Sequence, residues 1–243
     1  MEETTQELTS GDREAILKRI RQAVQQPAPK LFDGHAHTEG SATVASEPEH
    51  ATRDWLPHVP VDREGQFQLF AELSAKLQTD FRRVPDWESV RKIVRELIDE
   101  SKAALVACHD HPLVQQALEG ETTKRLDTSQ PFEPVALEPA AIGISACDAL
   151  IAQTGSVLVS SRTCGGRALS VLPPHHIVIA TADQMMADLT AAYDFIASRY
   201  EDRLPSMLSF ITGPSRTGDI ERILVLGAHG PKRLTILCLE TNE

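Results

Sequence analysis

From Gln66 onward, stretches in which apolar residues return every three or four positions alternate with short, uninterrupted apolar runs. Helical spacing alternating with buried-strand runs restricts the chain to an α/β fold, since wholly apolar strands need cover on both faces. Phe67, Phe70, Leu73 and Leu77 mark one helical face, and a short strand follows at 81–84. Asp86 is placed to cap a helix through Val90, Ile93, Val94, Leu97 and Ile98, and 103–108 reads as a buried strand. Asp110 can cap a short helix that ends near Gly120. Beyond Phe132, strands are expected at 149–152, 157–160, 177–180, 208–211, 223–226 and 234–239. One crossover helix, over 183–200, sets Met186, Leu189, Tyr193 and Ile196 on a common face.

The beginning of the chain reads differently. A helix is expected over 12–25, with Ser10 as its cap and Ile16, Ile20 and Val24 at four-residue spacing, until Pro27 and Pro29 stop it. From there to about Glu64 the chain is rich in Pro, His, Gly, Ser and Thr and reads as an irregular segment. The expected organisation is therefore 1–65, a helix and irregular segment, and 66–243, an α/β domain.

Charge and cysteine content narrow the function. A net charge of −11 argues against nucleic acid, whose phosphates are held by clustered Lys and Arg. A few focused donors can still hold a small anion. Cys108, Cys147, Cys164 and Cys238 are widely spaced with no C-x-x-C pair, which predicts free thiols rather than an iron–sulfur cluster or zinc ribbon. No apolar run reaches the roughly 18 residues of a membrane span and no export signal is visible, so a cytoplasmic protein is expected.

Three segments carry candidate chemistry. Gln153-Thr154-Gly155-Ser156 lies between two apolar runs, either as a hairpin turn or as a turn whose amides and hydroxyls face a ligand. The second, 160–167, is a glycine-containing loop with Arg162 and Arg167, either a solvated loop or a clamp on a carboxylate or phosphate. The third, 211–219, offers Gly213, Ser215, Arg216 and Thr217 after an apolar strand, a capped turn or an anion nest. His229 and Asp219 are the neighbouring acid–base candidates, although a histidine in a turn can equally be structural. The paired histidines His35 and His37, His109 and His111, and His175 and His176 lack companion ligands at metal-binding spacing, so no metal is expected.

Taken in order, Ile151 to Leu158, Gly166 to Ile177, Thr212 to Glu221 and Leu224 to Pro231 resemble the LUD domain family, in its lactate utilization protein C group. The resemblance implies a Rossmann-like sheet with flanking helices, similar to the NagB/RpiA/CoA-transferase-like fold. It also implies a part in oxidising L-lactate to pyruvate beside partner proteins that hold iron–sulfur clusters. Arg167, His176, Arg216 and His229 match the family pattern; Gln153 stands where the family usually has an acidic residue, and His175 where it has an apolar one.

The reading predicts a small anionic metabolite held by Thr154, Gly155, Ser156, Arg167, Gly213, Ser215, Arg216 and Thr217, with no cofactor. Two alternatives stand beside it: a non-catalytic assembly subunit of the same system, and a sugar-phosphate isomerase or CoA-transferase-like enzyme. The oligomeric state, a homo-oligomer included, is left open.

Overall fold

The computed structural model describes residues 56–218, 224–226 and 230–240, together with Lys18 and Arg21, which are helical and exposed. The rest of the helix expected over 12–25 and most of the irregular segment lie outside the described residues. Two compact units are distinguished, Met1–Glu47 and Pro48–Glu243, and the second contains the α/β fold.

Helix α1 (Arg63–Lys76) starts where the Asp62 carboxylate accepts the Gly65 amide at 2.7 Å. It leads into strand β1 (Asp80–Val84), helix α2 (Trp87–Ser101) and strand β2 (Leu105–Cys108). Asp86 caps α2 as expected, accepting from the Ser89 amide. Helix α3 (Pro112–Ala117) is capped by His111 and not by Asp110: with Pro112 at the first helical position, the imidazole is the side chain that reaches the Leu113 amide. Strands β3 (Lys124–Asp127) and β4 (Ile142–Ala146) follow; neither was expected, because β3 is polar and half-exposed and β4 carries Gly143 and Ser145 within a run of five.

Strand β5 (Ala149–Ile151) and strand β6 (Ser156–Ser160) form a hairpin, and helix α4 (Arg167–Val171) ends the loop after it. Strand β7 (His175–Thr181) starts two residues before its expected beginning. The crossover helix is shorter than its apolar pattern: Met186 belongs to strand β8 (Met185–Met186), Asp188 caps helix α5 (Leu189–Arg199), and Tyr193 is 53% exposed. Strands β9 (Leu208–Ile211), β10 (Arg216–Gly218), β11 (Leu224–Leu226) and β12 (Arg233–Leu239) complete the order.

Six strands form one parallel sheet in the order β1-β12-β7-β4-β2-β3, which is the α/β architecture expected from the sequence. One face is covered by α2 and α3 through Val90, Val94, Leu97, Ile98 and Val114. The other face packs on α1 and a second, four-stranded sheet of order β8-β5-β6-β9, through Phe67, Phe70, Leu150, Val157 and Val159. Helix α5 closes the outer side of that second sheet with Ala192 and Ile196. Arg63 rivets α1 to it, donating to the Met185 and Ala182 carbonyls at 2.8 and 2.5 Å.

Two histidines are sealed in this core. His175 Nε2 meets Thr235 Oγ1 at 2.9 Å, His176 Nε2 meets Ser145 Oγ at 2.9 Å, and neither Nδ1 has a partner among the described residues. Burial lowers His175 to about 4, helped by Arg233, and His176 to about 3, helped by His175. Both are neutral when folded, whereas the unfolded chain takes up protons below about 6.5. The contribution of these two histidines to stability is therefore flat above that pH and falls as pH drops from 6.5 toward 4, at up to about 1.4 kcal/mol per pH unit for each histidine. Urea midpoints measured from pH 8 to pH 4 should show this loss, and it should shrink when His176 is replaced by Gln.

Candidate functional site

In a parallel sheet every strand delivers the residue after its last rung to one common pole. Chain order reverses around β2: the chain leaves β2 for β3 on one side and returns to β4 on the other. A crevice at the carboxyl ends of β2 and β4 is thus where this topology leaves room for a ligand.

The first residues beyond β2 are His109, Asp110 and His111. The Arg162 carbonyl can only accept, so His109 donates to it through Nε2 at 3.2 Å, and its Nδ1 accepts from the Ser129 hydroxyl at 3.1 Å. Ser129 Oγ in turn accepts the Asp110 amide at 2.7 Å. Loop 161–166 lies directly over these groups. A Cβ on Gly165, whose φ is +66°, would come within 2.4 Å of Thr128 Oγ1 and 2.6 Å of His109 Nδ1, so only glycine lets this loop approach.

Beyond β4 comes Asp148, 9% exposed. One carboxylate oxygen accepts the Tyr200 hydroxyl, and the other accepts Thr163 Oγ1 at 2.9 Å. Tyr200 also reaches Ser160 Oγ at 3.2 Å, and the Arg162 guanidinium lies 5.0 Å over its ring. Burial, with Asp148 alongside, pushes Tyr200 up to about 12, so the phenol stays a donor. His111 is held below the ordinary histidine range by burial first and by His109 second, while Asp148 across the crevice pulls the other way. The crevice thus combines a buried carboxylate, two histidines and the Arg162–Arg167 loop.

The residues expected to bind a ligand fall into two groups. Gln153 to Ser156 and Thr212 to Arg216 do come together, at the opposite pole, around the end of α1. Ser156 Oγ and Thr212 Oγ1 are 2.7 Å apart, and the Gly155 amide donates to the Ile151 carbonyl at 3.0 Å. Added Cβ atoms at Gly155 and Gly213 would meet Leu73 Cβ at 2.9 Å and the Leu77 carbonyl at 3.0 Å. The exposed Arg216 guanidinium donates to that same Leu77 carbonyl, and the Ser215 amide donates to the Pro231 carbonyl at 2.9 Å. Arg167 is not part of this group: it is exposed at the start of α4, beside the crevice, and its side chain has no partner among the described residues. The Thr217 backbone lies in β10, while Asp219 and His229 lie outside the described residues.

Asp148 and Tyr200 were not singled out from the sequence, and His109 and His111 appeared there only as a metal-like pair lacking companion ligands. For His109, His111 and Asp148 the available signal is positional, a charged or titratable residue just beyond a buried apolar strand. It is visible after β2, is hidden at Asp148 because β4 does not read as a strand, and is lacking for Tyr200, which follows helix α5.

The LUD domain family model matches residues 67–239. Two relatives described as lactate utilization protein C, from Shouchella clausii and Halalkalibacterium halodurans, are each 30% identical over 181 residues, covering 71% of this chain and 78% of theirs. Another of that description, from Geobacillus kaustophilus, is 39% identical over 100 residues, covering 40% of this chain and 42% of its own. A crystal structure of a DUF162 family protein from Deinococcus radiodurans superposes with a TM-score of 0.57 at 19% identity, covering 74% of this chain and 99% of that one, a likeness of fold.

Removing the Tyr200 hydroxyl leaves one oxygen of a buried carboxylate without its donor. Tyr200→Phe should cost about 1–3 kcal/mol in urea denaturation, and Asp148→Asn combined with it should cost less than the sum of the two single changes.

Proposed function

The chain belongs to the LUD domain family, and on that premise we propose that it acts in lactate utilization, in the cytoplasm, as the subunit that holds the small carboxylate. Relatives described as lactate utilization protein C support the role. Electron transfer in the oxidation of L-lactate to pyruvate is assigned to partner proteins carrying iron–sulfur clusters. The thiols of this chain suit that division: all four are buried and free, and burial raises each of them above the ordinary cysteine range.

The carboxylate binds in the crevice at the ends of β2 and β4. The observation that carries this reading is the folding of the Arg162–Arg167 loop onto His109 at the switch point of the sheet, with Arg167, exposed and without a partner among the described residues, at the end of that loop. Arg167→Ala should weaken lactate or pyruvate binding roughly tenfold, the worth of one charge-assisted hydrogen bond. Isothermal titration of the full chain measures it, and unchanged affinity would remove this site.

A second reading puts the anion at the opposite pole, among Thr154, Gly155, Ser156, Gly213, Ser215, Arg216 and Thr217. It is favoured by Ser74, Thr79 and Thr154, whose buried hydroxyls have no partner among the described residues. In that case Thr79→Val, Thr154→Val and Arg216→Ala would each lower affinity while Arg167→Ala would not. The same titrations decide between the two poles.

A further inference from the structure

His111 combines two jobs whose geometry fixes its chemistry. As the N-cap of α3 it accepts the Leu113 amide through Nδ1 at 3.3 Å. An acceptor nitrogen carries no proton, so in the neutral ring the proton sits on Nε2. That Nε2 lies on the far side of the ring from α3 and bonds no described residue. The ring is half-buried, with His109, Asp110 and Asp148 as its charged or titratable neighbours. Tautomer exchange would cost the helix its cap, so His111 presents a donor to the crevice and never an acceptor.

Three other polar groups of the crevice are already committed. Both ring nitrogens of His109 are used, both oxygens of Asp148 accept protein donors, and the Tyr200 hydroxyl points to Asp148. Two donors named above have no partner among the described residues: the directional neutral donor His111 Nε2–H and the cation Arg167. A cation on the loop that closes over His109, together with a fixed donor two residues along the chain from that histidine, matches a small carboxylate with an oxygen acceptor on the adjacent carbon.

We propose that His111 is the specificity-determining residue of the crevice, donating Nε2–H to the carbonyl oxygen of a bound 2-oxocarboxylate whose carboxylate faces Arg167. This role rests on the carboxylate binding in the crevice. It adds that the site reads the 2-oxygen, because a fixed donor loses its partner when that oxygen is missing.

Pyruvate and propionate, which differ at that oxygen, are the probes, titrated into the full chain. The wild type should bind pyruvate at least tenfold more tightly than propionate. His111→Asn keeps a good helix cap while its shorter amide no longer reaches the Nε2 position with a donor, and should bring the two affinities within about twofold of each other. Arg167→Ala should weaken both ligands and leave their ratio in place. A pyruvate-to-propionate ratio unchanged in His111→Asn, with Arg167→Ala still weakening both, overturns the role of His111 alone. Pyruvate binding that ignores Arg167→Ala, or no pyruvate binding by the wild type, overturns the crevice reading and this proposal with it. A nitrogen-15 correlation spectrum of the imidazoles gives an independent readout: His111 should appear as the Nε2–H tautomer, and a protonated Nδ1 would sink the proposal whatever the affinities.

Discussion

Everything in the α/β unit depends on burying both faces of one parallel sheet. Val106, Ile144, Ile177, Ile179, Ile236 and Leu237 are each fully covered, and such strands exist only where helices or a second sheet shield each side. Here the shields differ: α2 and α3 on one face, α1 with the four-stranded sheet on the other. Because no polar group can be accommodated cheaply inside those layers, chemistry is pushed to the two rims, where strands become loops. The exceptions, His175 and His176, stay in the interior only as neutral rings hydrogen-bonded to Thr235 and Ser145.

Much of this frame was legible in the residues. The periodicity of Val90, Val94, Leu97 and Ile98 and its Asp86 cap gave α2 directly, since a strongly amphipathic helix needs little tertiary context to be recognised. Strand β4 was not legible, because Gly143 and Ser145 interrupt its apolar run. Both have tertiary reasons to be small or polar. A Cβ at position 143 would sit 2.7 Å from the Leu169 carbonyl, and Ser145 serves the buried His176. The overextended helix around 183–200 has a similar cause: Met186 fits a helical stripe, yet pairing with Ile151 draws it into β8.

The candidate site was half legible for a related reason. Short segments rich in Gly, Ser, Thr and Arg announce loops that approach other backbone closely, but not what they approach. Gly155 and Gly213 are small because α1 runs against them, and Gly165 because His109 does. Identical residue types thus serve helix packing at one pole and loop closure over titratable groups at the other. Only strand order separates the two, since it determines which loops follow β2 and β4.

Electrostatics gives the two poles different suitability for an anion. The loops around Gly155 and Gly213 meet the carboxyl end of α1, a helix of 14 residues whose last carbonyls carry partial negative charge. Arg216 is bound to one of those carbonyls, so its charge is partly spent on the helix before any ligand arrives. Arg167, at the end of the loop that closes over His109, has no such obligation, and His111 is fixed as a neutral donor by the helix it caps. Two carboxylates stand at that wall: hydrogen bonds from Tyr200 and Thr163 engage both oxygens of the buried Asp148, and the exposed Asp110 accepts from Gln115 Nε2. A small carboxylate meets hydrogen-bonded carboxylates there and an arginine with no described partner, whereas at the far pole it meets helix carbonyls that the nearest arginine is already balancing.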